Sequence, residues 1–394
     1  MKIGIIGQGQ AGLTLAIMLK KNIKDVDVTI IDKNQFTGKK LLATGNGRCN
    51  LANSRIKDNS YNSKEALKIA KEFDFKKQDE FYKSIGIVTR NIGDLVYPFS
   101  LSAKNYVEYL IKYLKELKVK MINNEIVKDY EINKDKVKVT TNKKVFVFDY
   151  LVFASGNVSA PQLGGDDSII KILKKHNYEI TEPKPGLCPI RTIEQTKNIE
   201  NERRKCKVTL NIDKANLYEE DGEVLFKKDG LSGIAIFNCA SLIARNKKFK
   251  RATISLDLMP EKTVKEVEDL FSSLNFVSKE SFLYGIFTSP MAAYIQYVSN
   301  VKNPFRYTAT EIKKLAKTVK ELLFTYKESY DFKDGQISIG GLNFENLNND
   351  LFSKTEKNVG FAGELLNADG LCGGFNLMFA TASAYKIFKY LSKK

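Results

Sequence analysis

Three glycines at fixed intervals near the start constrain this chain more than any other feature. In "KIGIIGQGQAGLTLAIML", Lys2 to Leu19, an apolar run of strand length precedes Gly7, Gly9 and Gly12, and residues with helical periodicity follow. A strand, a tight turn and a helix in that order receive a dinucleotide. Gly7 permits the turn, Gly9 lets the backbone approach a pyrophosphate, and Gly12 lets helix and strand pack closely. Free N–H groups at the helix start attract the phosphates. A second apolar stretch, "DVTIID", ends in Asp32, twenty residues after Gly12. A carboxylate there accepts hydrogen bonds from an adenosine ribose and repels a 2′-phosphate, so FAD or NAD is expected rather than NADP. A secretion signal is the competing reading of the opening residues. It is disfavoured because no small-residue cleavage site follows and Lys20, Lys21 and Asp25 come directly after the apolar part.

The segment "GKKLLATGNGRCNLAN", Gly38 to Asn53, alternates Gly45 and Gly47 with Thr44, Asn46 and Asn50. It reads as a loop held against a planar polar ligand, with Arg48, Asn50 and Asn53 supplying hydrogen bonds. Helical stretches, a hairpin ending "DLVYPFS" and an amphipathic helix, "SAKNYVEYLIKYLKEL", follow. "KMINNEIVKDYEI" and "KVKVTTNKKVFVFDY" read as a small meander, and "YLVFASGN" as a buried strand returning the chain to the nucleotide. The texture changes near Pro183. "CKVTLNIDKANLYEEDGEVLFKKDGLSG" alternates strictly, with a hairpin turn expected at Asp221-Gly222. "GIAIFNCASLIARN" reads as a helix, "RATISLDLMP" as a strand, and helical stretches including "TATEIKKLAKTVKELLFTYKES" are expected to run to about Tyr330. "GQISIGGLNF" then returns to the first domain, and "VGFAG" leads through Glu364 and Asp369 to Gly373-Gly374 and a long helix from Phe375. That helix start favours negative charge, which suits the N1/C2=O edge of a reduced flavin. The expectation is an α/β protein: a discontinuous FAD-type Rossmann domain, residues 1–183 and 335–394, carrying an inserted domain over residues 184–334.

Composition narrows the chemistry. The chain has 394 residues and a formal net charge of +17, and lysine supplies most of the excess while arginine is sparse. A coding bias towards lysine is the first reading of that charge. A basic mouth that draws in anions comes second and nucleic-acid binding last. Five widely spaced cysteines without a C-x-x-C pair fit neither a disulfide framework nor a zinc site, and point to a reducing cytoplasm. His176 is the single histidine and reads as a surface or helix-end residue, so no metal site is expected and a cofactor must carry the difficult chemistry. No apolar run is long enough to span a bilayer.

"KKLLATGNGRCNLAN", "GLSGIAIFN", "GQISIGGLNF" and "FAGELLNADGLCGGFNL" together resemble the BaiN-like, or aminoacetone-oxidase-like, family of NAD(P)/FAD-dependent oxidoreductases, in the right order over nearly the whole chain. The resemblance implies FAD in a two-part Rossmann domain whose insert has a β-barrel-like and a helical region. It implies that Gly7, Gly9, Gly12 and Asp32 hold the ADP half, while Gly45, Asn46, Gly47, Arg48, Cys49 and Asn50 line the pyrophosphate and isoalloxazine. Gly156 closes over the adenosine side, and Gly363, Glu364, Asp369, Gly374, Phe375 and Asn376 meet the ribityl chain and ring. Lys33, Lys40 and Ser155 complete the candidate cofactor contacts. The family usually has a Thr-Gly pair where this chain has Ser155-Gly156-Asn157.

The expected reaction is hydride transfer between a small organic substrate and flavin N5, by amine oxidation or C=C reduction. NAD(P)H is a candidate transient donor, since no second G-x-G-x-x-G marks a dedicated site. Arg48, Cys49 and Tyr97 are the candidates for proton handling. The rival readings are a flavoprotein acting on tRNA or other RNA, a non-catalytic FAD or NAD sensor, and an NAD dehydrogenase without flavin.

Overall fold

The computed structural model describes residues 1–246, 248–278, 281–301 and 306–394. The chain divides into two compact units, one of Met1–Pro185 with Gly335–Lys394 and one of Gly186–Asp334.

The first unit is built on a five-stranded sheet. Strand β1, Lys2–Ile6, leads into helix α1, Gln10–Asn22, and then strand β2, Asp27–Ile31. The sheet order is Val359–Phe361, Tyr150–Phe153, β1, β2, Lys120–Ile122, and every neighbouring pair is parallel. Parallel strands are covered on both faces, which explains why they read as unbroken apolar runs; Ile3, Ile5, Ile30, Ile31, Leu151, Val152 and Phe153 are all fully buried. The C-terminal helix, Phe375–Leu391, packs along α1, where Gly363 lets its segment approach Ala11. The expected meander divides. Lys120–Ile122 becomes the outer strand of the parallel sheet, and Val127–Asn133, Lys136–Thr141 and Val145–Phe148 form a separate antiparallel sheet. Asn124, in the left-handed region, turns the chain between the two.

The second unit is a closed six-stranded barrel with helices. Its strands run Ile190–Thr192, Gly230–Ser232, Ala215–Lys227, Arg203–Ile212, Ala252–Asp257, Leu322–Ser329 and back to the first. Two expectations are corrected here. Asp221-Gly222 is no turn: Gly222 lies inside Ala215–Lys227, opposite Cys206. The hairpin turns at Asp213-Lys214, both at positive φ. Gly222 serves a different need, because even a Cβ there would come within 3.3 Å of the Ala235 methyl of the covering helix. Nor is "LLFTYKES" helical. The helix Ala309–Lys320 ends at Glu321 (φ −147°), and Leu322 and Phe324 point inward with Leu323 half exposed, a two-residue period that closes the barrel.

Candidate functional site

The β1–α1 turn is made by the glycines. Gly7 has φ +114°, and a Cβ on it would collide with the Ala154 backbone of the neighbouring strand. A Cβ on Gly12 would collide with the Gly7 carbonyl oxygen, so helix and turn touch there. Gly9 differs: it is the N-cap of α1, and no atom lies within 4 Å of where its Cβ would stand. The α1 cap has no side-chain partner and its first turn no acidic residue, so the N–H groups of Gln10, Ala11 and Gly12 face that open space.

Asp32 ends β2 beside this turn. Its carboxylate accepts from Gln8 N (2.7 Å), Asn34 N (2.7 Å) and Asn34 Nδ2 (2.9 Å), which fix its orientation. It lines an open cleft with Gly7, Lys33, Ile126, Val127 and Ser155. Lys33 pairs with Asp166 on the rim. Gly156, at φ +74°, has no neighbour within 4 Å of a Cβ position. The sequence reading did not mark Ile126, Val127 or Asp166, because a strand end and a loop acid carry no motif.

The other end of the site is assembled from segments more than 300 residues apart. Gly45, Asn46, Gly47 and Cys49 all have positive φ, which winds the Thr44–Asn50 loop tightly and leaves open space at Gly47. Asn53 Nδ2 donates to Gly373 O (2.8 Å) and Tyr61 Oη to Phe375 O (2.9 Å). With its amide correctly oriented, Asn50 accepts from Gly374 N at 3.1 Å and donates to Ala52 O at 2.9 Å. Gly374, φ +92°, caps the C-terminal helix without a side-chain cap bond, and the first helical hydrogen bond runs from Met378 N to Gly374 O (3.0 Å), three N–H groups further on. The side chains of Phe375 and Asn376 are committed elsewhere: Phe375 packs edge-on to Tyr61, and Asn376 exchanges bonds with the Gly370 backbone. What these residues present is their backbone. Asp369 is buried, its N–H donating to Asn62. Lys40 Nζ grips Glu364 (2.8 Å), whose carboxylate also accepts from Ser338 N (3.0 Å).

Both ends are locked to each other through a buried polar cluster that the sequence did not reveal. Gln10 Nε2 lies 3.0 Å from Tyr82 Oη, 3.1 Å from Tyr106 Oη and 2.9 Å from Thr381 Oγ1, and Tyr106 Oη donates to Gln10 Oε1 (3.2 Å), tying the first turn of α1 to the C-terminal helix. Thr381 lies six residues beyond Phe375, so roughly 9 Å of helix separates this tie from the helix start. Gln10→Leu is expected to cost about 2–4 kcal/mol by stranding these hydroxyls, measurable as a lowered midpoint of chemical unfolding.

Of the proton-handling candidates, Cys49 is fully buried and burial pushes its thiol up to about 12, so it is a neutral packing residue. Tyr97 is nearly buried; burial raises its phenol above the ordinary value, opposed by the positive charge of Arg48. Arg48 is exposed. His176 caps its helix as expected, yet it is not a plain surface residue. Its ring stacks on Tyr130 at 3.9 Å, Nδ1 meets Glu356 Oε1 at 2.9 Å and Nε2 meets Asp129 Oδ1 at 3.1 Å. Among the described residues no group of His, Cys, Asp and Glu is placed to hold a metal, and no helix is long and apolar enough to cross a membrane.

A parallel Rossmann sheet and two helix starts without side-chain caps fit the class that the relatives show, a Rossmann-type FAD-dependent oxidoreductase. The chain belongs to the HI0933-like protein Rossmann domain family, whose model matches residues 1–389. It is 28% identical to a 3-dehydro-bile acid delta(4,6)-reductase of Clostridium scindens, over 98% of this chain and 97% of that one. It is 22% identical to a ribosomal RNA dihydrouridine synthase of Haemophilus influenzae, over 99% and 98%. The fold is similar to that of the 3-ketosteroid delta1-dehydrogenase of Sterolibacterium denitrificans, with a TM-score of 0.52, 10% identity and 99% of each chain covered.

Proposed function

We propose that the first unit binds FAD from Asp32 to Gly374 and that the enzyme reduces a carbon–carbon double bond conjugated to a carbonyl. The observation that carries this reading is the pair of helix starts without side-chain caps, at Gly9 and Gly374, on two helices packed together, with open space beside Gly9, Gly47 and Gly156. The residues present fit the group. Asp32 would accept from the adenosine ribose, the α1 N–H groups would meet the pyrophosphate, and Lys33, Ser155 and Gly156 would border the adenosine. Gly363 and the Lys40–Glu364 pair would flank the ribityl chain. Gly45, Asn46, Gly47, Arg48 and Asn50 would face the ring from one side, with Asp369, Gly374 and the N–H groups of Phe375 and Asn376 at its N1 edge. When bound and reduced by two electrons, FAD would supply the hydride from N5. The N-terminus of the C-terminal helix would stabilise the negative charge that the reduced ring carries at N1/C2=O before the hydride leaves. Tyr97 Oη, kept protonated by burial, delivers the proton that completes the saturated product, and Arg48 stabilises the phenolate until solvent reprotonates it.

The names of two relatives support a reduction, since a delta(4,6)-reductase and a dihydrouridine synthase each add hydrogen across a double bond. NAD(P)H is the proposed donor. Anaerobic stopped-flow absorbance tests both halves. NADH or NADPH is expected to bleach the flavin, and a cyclic enone such as 4-androstene-3,17-dione to restore its colour. Restoration by oxygen but by no enone, together with amine-driven bleaching, would mark an amine oxidase instead.

A further inference from the structure

We propose that the solvent-facing side of the small sheet beside Gly373 seats the substrate, and that the substrate is an apolar molecule with an anionic head held by Arg48 and Arg90. This rests on the reading that the Gly45 and Gly373 loops form the flavin end of the cleft. The sheet has the order Ala52–Asn53, Leu95–Pro98, Thr89–Ile92. Arg90 lies opposite Tyr97 and Ile92 opposite Leu95, and opposed residues share a face. The Phe99 N–H to Val88 O bond (2.8 Å) extends the ladder, so Val88 and Phe99 join that face. The reverse face carries Val96, buried against Ala52 and Met378.

The outer face is unusual for a solvated sheet. Val88 is 57% exposed, Ile92 43% and Phe99 59%, a strip about 14 Å long at strand rise. Its inner end reaches the cleft: the Tyr97 ring stands 3.5 Å from a Cβ position on Gly45, and the Leu95 side chain 3.5 Å from one on Gly373.

The charge pattern says what the strip would receive. Lysine supplies every other cationic side chain of this unit, yet its three arginines, Arg48, Arg55 and Arg90, all fall in the segment surrounding this sheet. Among the described residues none of the three forms an ion pair with a carboxylate, whereas Arg191 and Arg203 of the other unit are paired with Asp229 and Glu223. Arg90 instead stacks on Phe99, 4.9 Å from the ring centroid, which holds its guanidinium at the edge of the apolar strip. A planar fork without an internal acid, beside exposed apolar side chains, matches a carboxylate or phosphate on an apolar body.

The test is equilibrium binding to the oxidised holoenzyme, without turnover, read by quenching of pyrene fluorescence. 1-Pyrenebutyrate should bind at least about tenfold more tightly than neutral 1-pyrenemethanol, as expected when one charge-assisted hydrogen-bonded pair is lost. Arg90→Gln should abolish that preference while keeping the visible flavin spectrum and the affinity for 1-pyrenemethanol, and Arg90→Lys should restore part of it. Displacement by dodecanoate or dodecyl phosphate, and not by dodecanol, supports the seat and ranks the two anions. Equal affinity for the acid and the alcohol, or an unaffected Arg90→Gln, overturns the proposal. Enone reduction that fails while this preference holds would sink the reaction and leave the seat standing; the converse result would sink the seat alone.

Discussion

Gly9→Ala is expected to fold with wild-type stability and yet lose at least about a hundredfold in FAD affinity, the equivalent of two charge-assisted hydrogen bonds. At φ −88° the backbone accepts alanine, and no atom of the protein stands near the added methyl. The only thing the methyl would displace is whatever group approaches the α1 N–H donors. Gly12→Ala should fail differently. Its methyl would meet the Gly7 carbonyl, a backbone atom that cannot rotate away, so the loss is about 3 kcal/mol or more of stability with the flavin lost in consequence. Urea unfolding and titration with FAD separate the two variants. A Gly9→Ala protein that retains FAD normally would mean that the pyrophosphate lies elsewhere.

Tyr97→Phe is expected to retain FAD and to lower kcat by about 100- to 10,000-fold, the usual worth of a positioned general acid. The ring and its packing against the Gly45 loop survive this change, so a purely structural role would leave kcat near normal. The pH profile adds a second readout. Because burial raises the Tyr97 phenol, the donor form persists through neutral pH, and activity should fall only above tyrosine's ordinary value of about 10. That alkaline limb should be missing in Tyr97→Phe.

Local features of the site were legible in the sequence, and features made by distant pairing were not. Gly7 and Gly12 could be read because a strand–turn–helix needs glycine at that spacing whatever surrounds it. The Gly45–Asn50 loop was readable for a related reason: a run of left-handed residues demands glycine and asparagine. Gly222 misled because Asp-Gly ordinarily marks a turn, whereas here the missing side chain makes room for Ala235 and the true turn, Asp213-Lys214, contains no glycine. Leu322–Ser329 follows a helix with no Gly or Pro between them, so its two-residue period is hidden behind an apolar run that suits either element. Gln10 and His176 show the remaining gap. The partners of Gln10 come from three separated segments and those of His176 from two, and only a polar residue inside an apolar helix or at its end hints at them.

The measurement closest to the centre of this account is the visible absorption spectrum of the purified protein, recorded after incubation with FAD and gel filtration. The protein is expected to emerge yellow, carrying one FAD per chain whose colour bleaches on anaerobic reduction, and the Gly9→Ala variant to emerge colourless though folded. A wild-type protein that leaves the column colourless would contradict that expectation.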